Sequence, residues 1–197
     1  MKERIAFFDF DGTITTKDTM LEFIRFYSGD FRFYLGFLLT SPLIVAYKIG
    51  IIKKKTAKQI FLGFFFRGET IEKFEQQCRS FADTVIPGLL RPKAVKEIEK
   101  LKAAGVKVVI VSASAENWIR YWASDKEIEL MGTRLAVKNG RIAGTFDGEN
   151  CYGDEKVCRI KEQFNLEAYK EILCYGDTPG DKPMLALATH RFYKPFR

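Results

Sequence analysis

From Ile5 to Thr15 the chain reads Ile5-Ala6-Phe7-Phe8-Asp9-Phe10-Asp11-Gly12-Thr13-Ile14-Thr15, and no other stretch limits so strictly what the rest can fold into. Ile5 to Phe8 is an apolar run with the length and aromatic content of a short buried strand. Two carboxylates, Asp9 and Asp11, follow at its carboxyl end; residues i and i+2 of an extended chain point to the same side, so both can face one site. Gly12 then permits a positive φ and lets a ligand approach the backbone. Asp and Gly are also common turn formers, so Asp-x-Asp-Gly alone is compatible with a plain strand-ending turn. The rest of the chain decides between the two.

After Thr15 the pattern becomes helical. Thr19-Met20-Leu21-Glu22 has the spacing of a capping box and predicts a helix that buries Leu21, Ile24 and Tyr27 and stops at Gly29. Phe31 to Leu39 predicts a second segment ended by Thr40-Ser41-Pro42, with Ser41 as N-cap and Pro42 as the first residue of a third segment that Gly50 closes. Helices over 55–66 and 71–85 complete an insert of roughly 70 residues, enough for a small helix bundle. Beyond Pro87-Gly88 helices and strands alternate. Helices are predicted over 92–104, 115–123, 156–164 and 180–188. Strands are predicted over 106–111, 172–175 and 191–196, with two short ones around the hairpin signal Asn139-Gly140. Such alternation predicts an α/β fold, an open parallel Rossmann-like sheet with helices on both faces. The expected division is a core of residues 1–15 and 86–197 and a helical cap of residues 16–85.

In open α/β sheets ligands bind outside the carboxyl ends of the strands. That rule selects Asp9 and Asp11, Ser112 after the 106–111 strand, and Asp177 after the 172–175 strand. Cys78, Cys151, Cys158 and Cys174 are scattered and His190 is the only histidine, which argues against zinc and disulfide frameworks. A catalytic metal would then rest on oxygen ligands, which points to Mg2+. The net charge of +7 admits an anionic partner. Basic residues cluster only at Lys53-Lys54-Lys55 and Lys58, and no nucleic-acid motif is present, so no nucleic-acid partner is expected. The Met1 to Arg4 head leads into an apolar run that Asp9 cuts short of the roughly 7 to 15 residues of a secretory core, and a cytoplasmic protein is expected.

These residues bring a known family into view. Asp9-Phe10-Asp11-Gly12-Thr13, Ser112 in Val109-Ile110-Val111-Ser112-Ala113-Ser114, Lys156 in Cys151-Tyr152-Gly153-Asp154-Glu155-Lys156, and Tyr175-Gly176-Asp177-Thr178-Pro179-Gly180-Asp181 follow one another in order. The chain resembles the haloacid dehalogenase superfamily, more narrowly its phosphoserine-phosphatase-like branch with a helical cap after the first strand. The resemblance implies Asp9 as the nucleophile that forms an aspartyl phosphate and Asp11 as general acid and then base. It implies Ser112 and Lys156 on the phosphoryl oxygens, Mg2+ held by Asp9, the Asp11 carbonyl and Asp177, and Asp181 in support. Gly12, Thr13, Asp18, Ala113 and Arg67 are the candidate substrate-binding residues.

Phosphoserine phosphatase itself resembles Asp-x-Asp-Ser-Thr with a Glu nine residues past the nucleophile, where this chain has Gly12 and Asp18. Its cap carries an arginine for the substrate carboxylate; that place falls here near apolar Leu62, and Arg67 is the nearest arginine. Asp18-Thr19, the 151–157 stretch and the 176–185 stretch look more like the bacterial branch that includes the phosphatidylglycerophosphatase C type. That likeness implies a phosphomonoester substrate that can be a lipid phosphate. A small-metabolite phosphatase, a phosphotransferase and a non-catalytic phosphate binder are the alternatives. Phe33 to Tyr47 carries no charge, is too short to span a bilayer, and is followed by Lys53-Lys54-Lys55. It reads either as cap core or as a surface for peripheral contact with an anionic membrane.

Overall fold

A computed structural model of the protein describes residues 2–197, apart from the side chains of Lys2, Glu3, Ile44 and Lys48. Met1 of the head and the Ile44 side chain of the uncharged run thus lie outside the described residues. The apolar run before Asp9 forms β1 (Lys2–Phe8). The insert follows as α1 (Thr19–Lys48), α2 (Lys54–Phe66), α3 (Ile71–Thr84) and the single turn α4 (Ile86–Leu89). The alternating part is α5 (Pro92–Ala103), β2 (Lys107–Ala115), α6 (Glu116–Asp125), β3 (Glu129–Thr133), β4 (Leu135–Lys138) and β5 (Arg141–Phe146). It ends with α7 (Asp154–Gln163), β6 (Tyr169–Gly176), α8 (Lys182–Ala186) and β7 (His190–Tyr193).

Five strands form one parallel sheet in the order β3-β2-β1-β6-β7. β1 is central, and its side chains alternate between two cores. Ala6 and Phe8 join Val108, Ile110 and Tyr175 on the face covered by α5, α6 and the insert, whereas Ile5 and Phe7 join Val109, Cys174 and Met184 on the face of α7 and α8. A strand buried on both faces must be apolar throughout, which is why β1 reads as a continuous run. The sheet winds one way through β2 and β3 and the other through β6 and β7. The switch point therefore lies at the carboxyl ends of β1 and β6, with β2 alongside.

The insert is anchored by Phe23. Its ring lies 5.1 Å from Trp118 of α6, 5.2 Å from Phe81 and 5.6 Å from Phe74 of α3, and 5.5 Å from Phe66 of α2. The hairpin β4-β5 turns at Asn139 and Gly140, both with positive φ. It closes against the α2-α3 turn, with Ile142 exchanging backbone bonds with Gly68 and Glu69. At Gly144 (φ 77°) an added Cβ would lie 3.2 Å from the Gly63 Cα, so α2 and β5 meet backbone to backbone.

Several sequence expectations change. The cap of α1 is Asp18, whose Oδ1 accepts from Met20 N at 2.9 Å, and Thr19 turns inward to Asp11 instead. Phe23 and Ile24 are buried, while Leu21 and Tyr27 are only half-buried. Gly29 (φ 75°, ψ 164°) breaks the helix, as its position implies, but helical structure resumes at once. Pro42 does not start a new helix. It lies inside α1, because Ser41 Oγ donates at 2.7 Å to the Leu38 carbonyl, the acceptor that Pro42 has no N–H to satisfy. β2 runs on to Ala115, so Ser112 sits within a strand, and β3, unforeseen in the sequence, pairs beside it. The helix expected over 180–188 is a short turn followed by α8, and the last strand ends at Tyr193.

Candidate active site

Asp9 continues β1 by one residue, its N–H donating to the Tyr175 carbonyl at 2.9 Å, so the sheet itself fixes its backbone. The side chain is 5% exposed. Oδ1 accepts from Lys156 Nζ at 2.6 Å and Oδ2 from Thr13 Oγ1 at 3.2 Å. Lys156, on the first turn of α7, is 1% exposed and also donates to Asp181 Oδ1 at 2.7 Å. Asp181 is held by three further donors, Asp177 N, Thr178 N and Thr178 Oγ1.

Two buried carboxylates thus share one ammonium, and they share it unequally. Burial raises the Asp181 pKa, but Lys156 and the Thr178 donors outweigh it and hold the group below its ordinary value. Asp9 has fewer donors. Burial first, then repulsion from Asp181 and Asp11, outweighs Lys156 and pushes its carboxyl up to about 7. Burial opposes the charge on Lys156, yet the two carboxylates keep its pKa above the usual value.

Asp11 is oriented from behind. Its Oδ1 accepts from Thr19 N and Thr19 Oγ1, each at 2.6 Å, and Thr19 Oγ1 in turn accepts from the Trp118 indole at 3.2 Å. Ser112 Oγ donates to Asp11 Oδ2 at 3.2 Å and accepts from Ser114 N at 3.0 Å. Gly12 (φ 81°) passes so near Asp177 that a Cβ there would lie 2.5 Å from its Oδ2; no other residue type fits.

Among the described residues, Asp9, Asp177 and Asp181 can each bring one oxygen within 4.8 Å of the others. Lys156 pairs with Asp9 and Asp181 among the described residues, and the Arg197 guanidinium with Asp177. Three hard oxygen donors close together suit a hard divalent cation such as Mg2+, and burial together with the charges of Asp181 and Asp11 already disfavours a bare Asp9 carboxylate.

Over these groups opens a cavity of about 330 Å3, floored by Asp9, Asp11, Gly12 and Lys156 and entered past Asp18 and Ala113. Asp18 is exposed at the rim as a residue, but its carboxyl is turned to the Met20 and Leu21 N–H groups and the cavity, where desolvation and Asp11 push it up to about 6 against Lys58. The Ala113 carbonyl accepts from Lys58 Nζ at 2.6 Å. Thr13, Ser112 and Asp177 lie beneath the floor, joined to Asp9 and Asp11 by the hydrogen bonds above and by Thr13 Oγ1 to Asp177 at 3.3 Å. Arg67 is not part of the cavity. Its guanidinium is exposed and donates to the Ala143 carbonyl, so it serves the hairpin.

Lys54 and Lys58, which the sequence presents only as part of a basic cluster, belong to the site. They stand four residues apart on α2 and so on one face, which is the signal that could have found them. Both line the cavity: Lys54 Nζ sits 3.3 Å from the centre of the Tyr152 ring, and Lys58 also reaches Asn150 Oδ1 at 3.3 Å. Desolvation lowers both pKa values, that of Lys58 to about 8.

With this geometry in hand, the family model described as "haloacid dehalogenase-like hydrolase" matches residues 6–186. The chain belongs to this family. Among curated relatives, Protein CicA of Caulobacter vibrioides is 38% identical over 196 residues, covering 96% of this chain and 85% of that protein. Among solved structures, a Bordetella pertussis Tohama I protein of unknown function superimposes with a TM-score of 0.84 at 22% identity, covering 96% of this chain and 88% of the other. A substrate-bound phosphoserine phosphatase superimposes with a TM-score of 0.63 at 20% identity, covering 98% and 86%. A phospho-aspartyl intermediate analogue of phosphoserine phosphatase gives 0.59 at 21% identity over 95% and 84%. At these identities the structures share the haloacid dehalogenase-like fold with this chain. The parallel sheet and the helical insertion after its first strand belong to that fold.

Proposed function

We propose that this haloacid dehalogenase-like hydrolase is a Mg2+-dependent phosphomonoesterase that works through Asp9. The observation that carries the reading is a buried strand-end carboxylate, backed by Lys156 at 2.6 Å, beside a second carboxylate that Thr19 and Ser112 hold in place. An Asp9 oxygen attacks phosphorus, the ester P–O bond breaks, and Asp11 gives a proton to the departing alkoxide. Asp11 then takes a proton from the water that hydrolyses the aspartyl phosphate. Lys156 neutralises equatorial phosphoryl oxygens, and Ser112 donates to one of them in exchange for its contact with Asp11. Asp9, the Asp11 carbonyl and Asp177 would hold Mg2+, which when bound neutralises the dianionic phosphoryl group; Asp181 keeps Lys156 in position. Residues 1–15 and 86–197 act as the catalytic body and residues 16–85 as the cap, which contributes Lys54 and Lys58 to substrate binding. Phosphate release from aryl and alkyl phosphates tests this reading. Wild type should require Mg2+, and undiminished release in excess chelator or by Asp9→Asn would refute it.

The finer reading is a lipid phosphate, such as a phosphatidylglycerophosphate, met by a protein in peripheral contact with the cytoplasmic face of an anionic membrane. Its support is the outer surface of the cap, where Phe31 is 83%, Leu38 69% and Ile51 71% exposed. Exposed apolar groups near Lys53 suit an interface of hydrocarbon and anionic headgroups, while Lys54 turns to the catalytic cavity and Lys55 pairs with Glu149 at 2.6 Å. No helix among the described residues is long and apolar enough to cross a membrane. Co-sedimentation with vesicles rich in phosphatidylglycerol tests the contact; no retention at low salt refutes it.

A further inference from the structure

A second cavity adjoins the first. About 220 Å3 in volume and almost wholly apolar, it runs between α1 and α2, walled by Leu21, Phe37, Leu43, Tyr47, Ala57 and Phe61. Met20, Lys54 and Lys58 line both cavities, so the groove begins where the catalytic pocket ends. Its walls are set by packing: Phe37 lies 5.3 Å from Phe61, and Thr40 turns its hydroxyl away to the Gly36 carbonyl at 2.6 Å. Phe37 therefore belongs to this interior wall and not to the exposed face of the cap.

We infer that the groove is a subsite for the hydrocarbon part of the substrate, resting on the phosphomonoesterase reading. The order of chemistries along the path is that of an amphiphile. Asp9 and Lys156 mark the phosphoryl end, the two ammonium groups of Lys54 and Lys58 stand at the junction, and beyond them no charged group among the described residues lines the groove. A phosphomonoester whose alcohol carries an unbranched alkyl or acyl chain fits this sequence of walls. A sugar or amino-acid phosphate would leave its hydroxyls or charges against hydrocarbon. Because the apolar part is remote from the reacting bond, its burial adds to transition-state binding through kcat/KM.

The test is a series of n-alkyl phosphates from butyl to dodecyl, each kept below its micelle concentration, so that the leaving group is constant and only the chain grows. For wild type, kcat/KM should rise about two- to fourfold per methylene until the groove is full. Leu43→Asn and Ala57→Phe, one making the groove polar and one filling it, should bring the dodecyl-to-butyl ratio close to unity. A control variant at exposed Leu38, Leu38→Ser, should keep the wild-type slope. Butyl phosphate turned over with no chain-length dependence would overturn the subsite and leave the phosphomonoesterase reading standing. A slope that persists in both groove variants would overturn its location. No hydrolysis of any member, with aryl phosphates also inert, would overturn both.

Discussion

The carboxyl edge of the sheet and the outer half of the cap break the ordinary rule of burial in opposite directions. At the sheet edge, charge is inside: Asp9, Lys156 and Asp181 are each 5% exposed or less. On the cap, hydrocarbon is outside: Phe31, Tyr34, Leu38, Leu39, Ile49 and Ile51 all exceed half exposure. The buried charges are fully accounted for, since no described buried side-chain nitrogen or oxygen lacks a hydrogen-bond partner. The exposed apolar groups have no such cover among the described residues. Buried polar networks fix one geometry, which chemistry needs; exposed apolar surface waits for something to cover it. In the proposed enzyme, reaction type therefore belongs to the sheet and substrate choice to the cap.

Substitutions can break or sharpen that contrast. The largest effect should come from Asp9→Asn, expected to cut turnover by about 10^4-fold or more, as loss of a nucleophile does, with the unfolding midpoint nearly unmoved because the amide keeps the acceptor for Lys156. Asp11→Asn should slow alkyl phosphates by about 10^2- to 10^4-fold and aryl phosphates far less, since good leaving groups need little proton donation. Equal losses in the two classes would assign Asp11 a purely structural part. Lys156→Met should destabilise the fold by about 3 kcal/mol in urea titration, because two buried carboxylates lose their shared cation.

Effects on the cap should be smaller and of another kind. Lys58→Met should raise KM about tenfold with little change in kcat. Desolvation lowers the Lys58 pKa from 10.5 to about 8, against the pull of Asp18 and Asp11. The ammonium is therefore present below that pH and lost above it. Wild-type kcat/KM should fall as pH rises through about 8, and the variant should lack that limb. A pH profile that Lys58→Met leaves unaltered would remove Lys58 from substrate binding. The smallest change should follow Leu38→Ser, within about 0.5 kcal/mol in stability and visible only as weaker retention on anionic vesicles.

How far the sequence spoke for the structure differs between the same two regions. The convergence of Asp9, Asp11 and Asp177 is legible because a parallel sheet gathers strand ends along one edge, and each of the three lies just beyond such an end; Ser112, expected at an end as well, sits within β2, and Asp181 entered only through the family resemblance. Local pattern failed where a side chain served a distant partner. Thr19 has the spacing of a helix cap, yet it holds Asp11 and is itself held by Trp118, a residue 99 positions away. Ser41-Pro42 has the look of a helix start, and only the bond from Ser41 to Leu38 reveals that the helix continues. Lys54 and Lys58 read as part of a surface cluster, because nothing local tells which face of α2 meets the catalytic pocket. Arg67 lies near in sequence to a place the resemblance marks, yet in space it turns to the hairpin.

Asp9 is proposed to take the phosphoryl group covalently, and acid quenching within the first turnover tests that step. With a substrate labelled in its phosphoryl group and Mg2+ present, wild-type protein should carry the label after the quench; in a parallel unlabelled sample, tritiated borohydride, which reduces an acyl phosphate to the alcohol and releases the phosphate, should leave its tritium at position 9. Asp9→Asn, folded, should carry none. Label on Asp11 or on any other residue, or steady hydrolysis with no labelled protein under conditions that trap acyl phosphates, would contradict it.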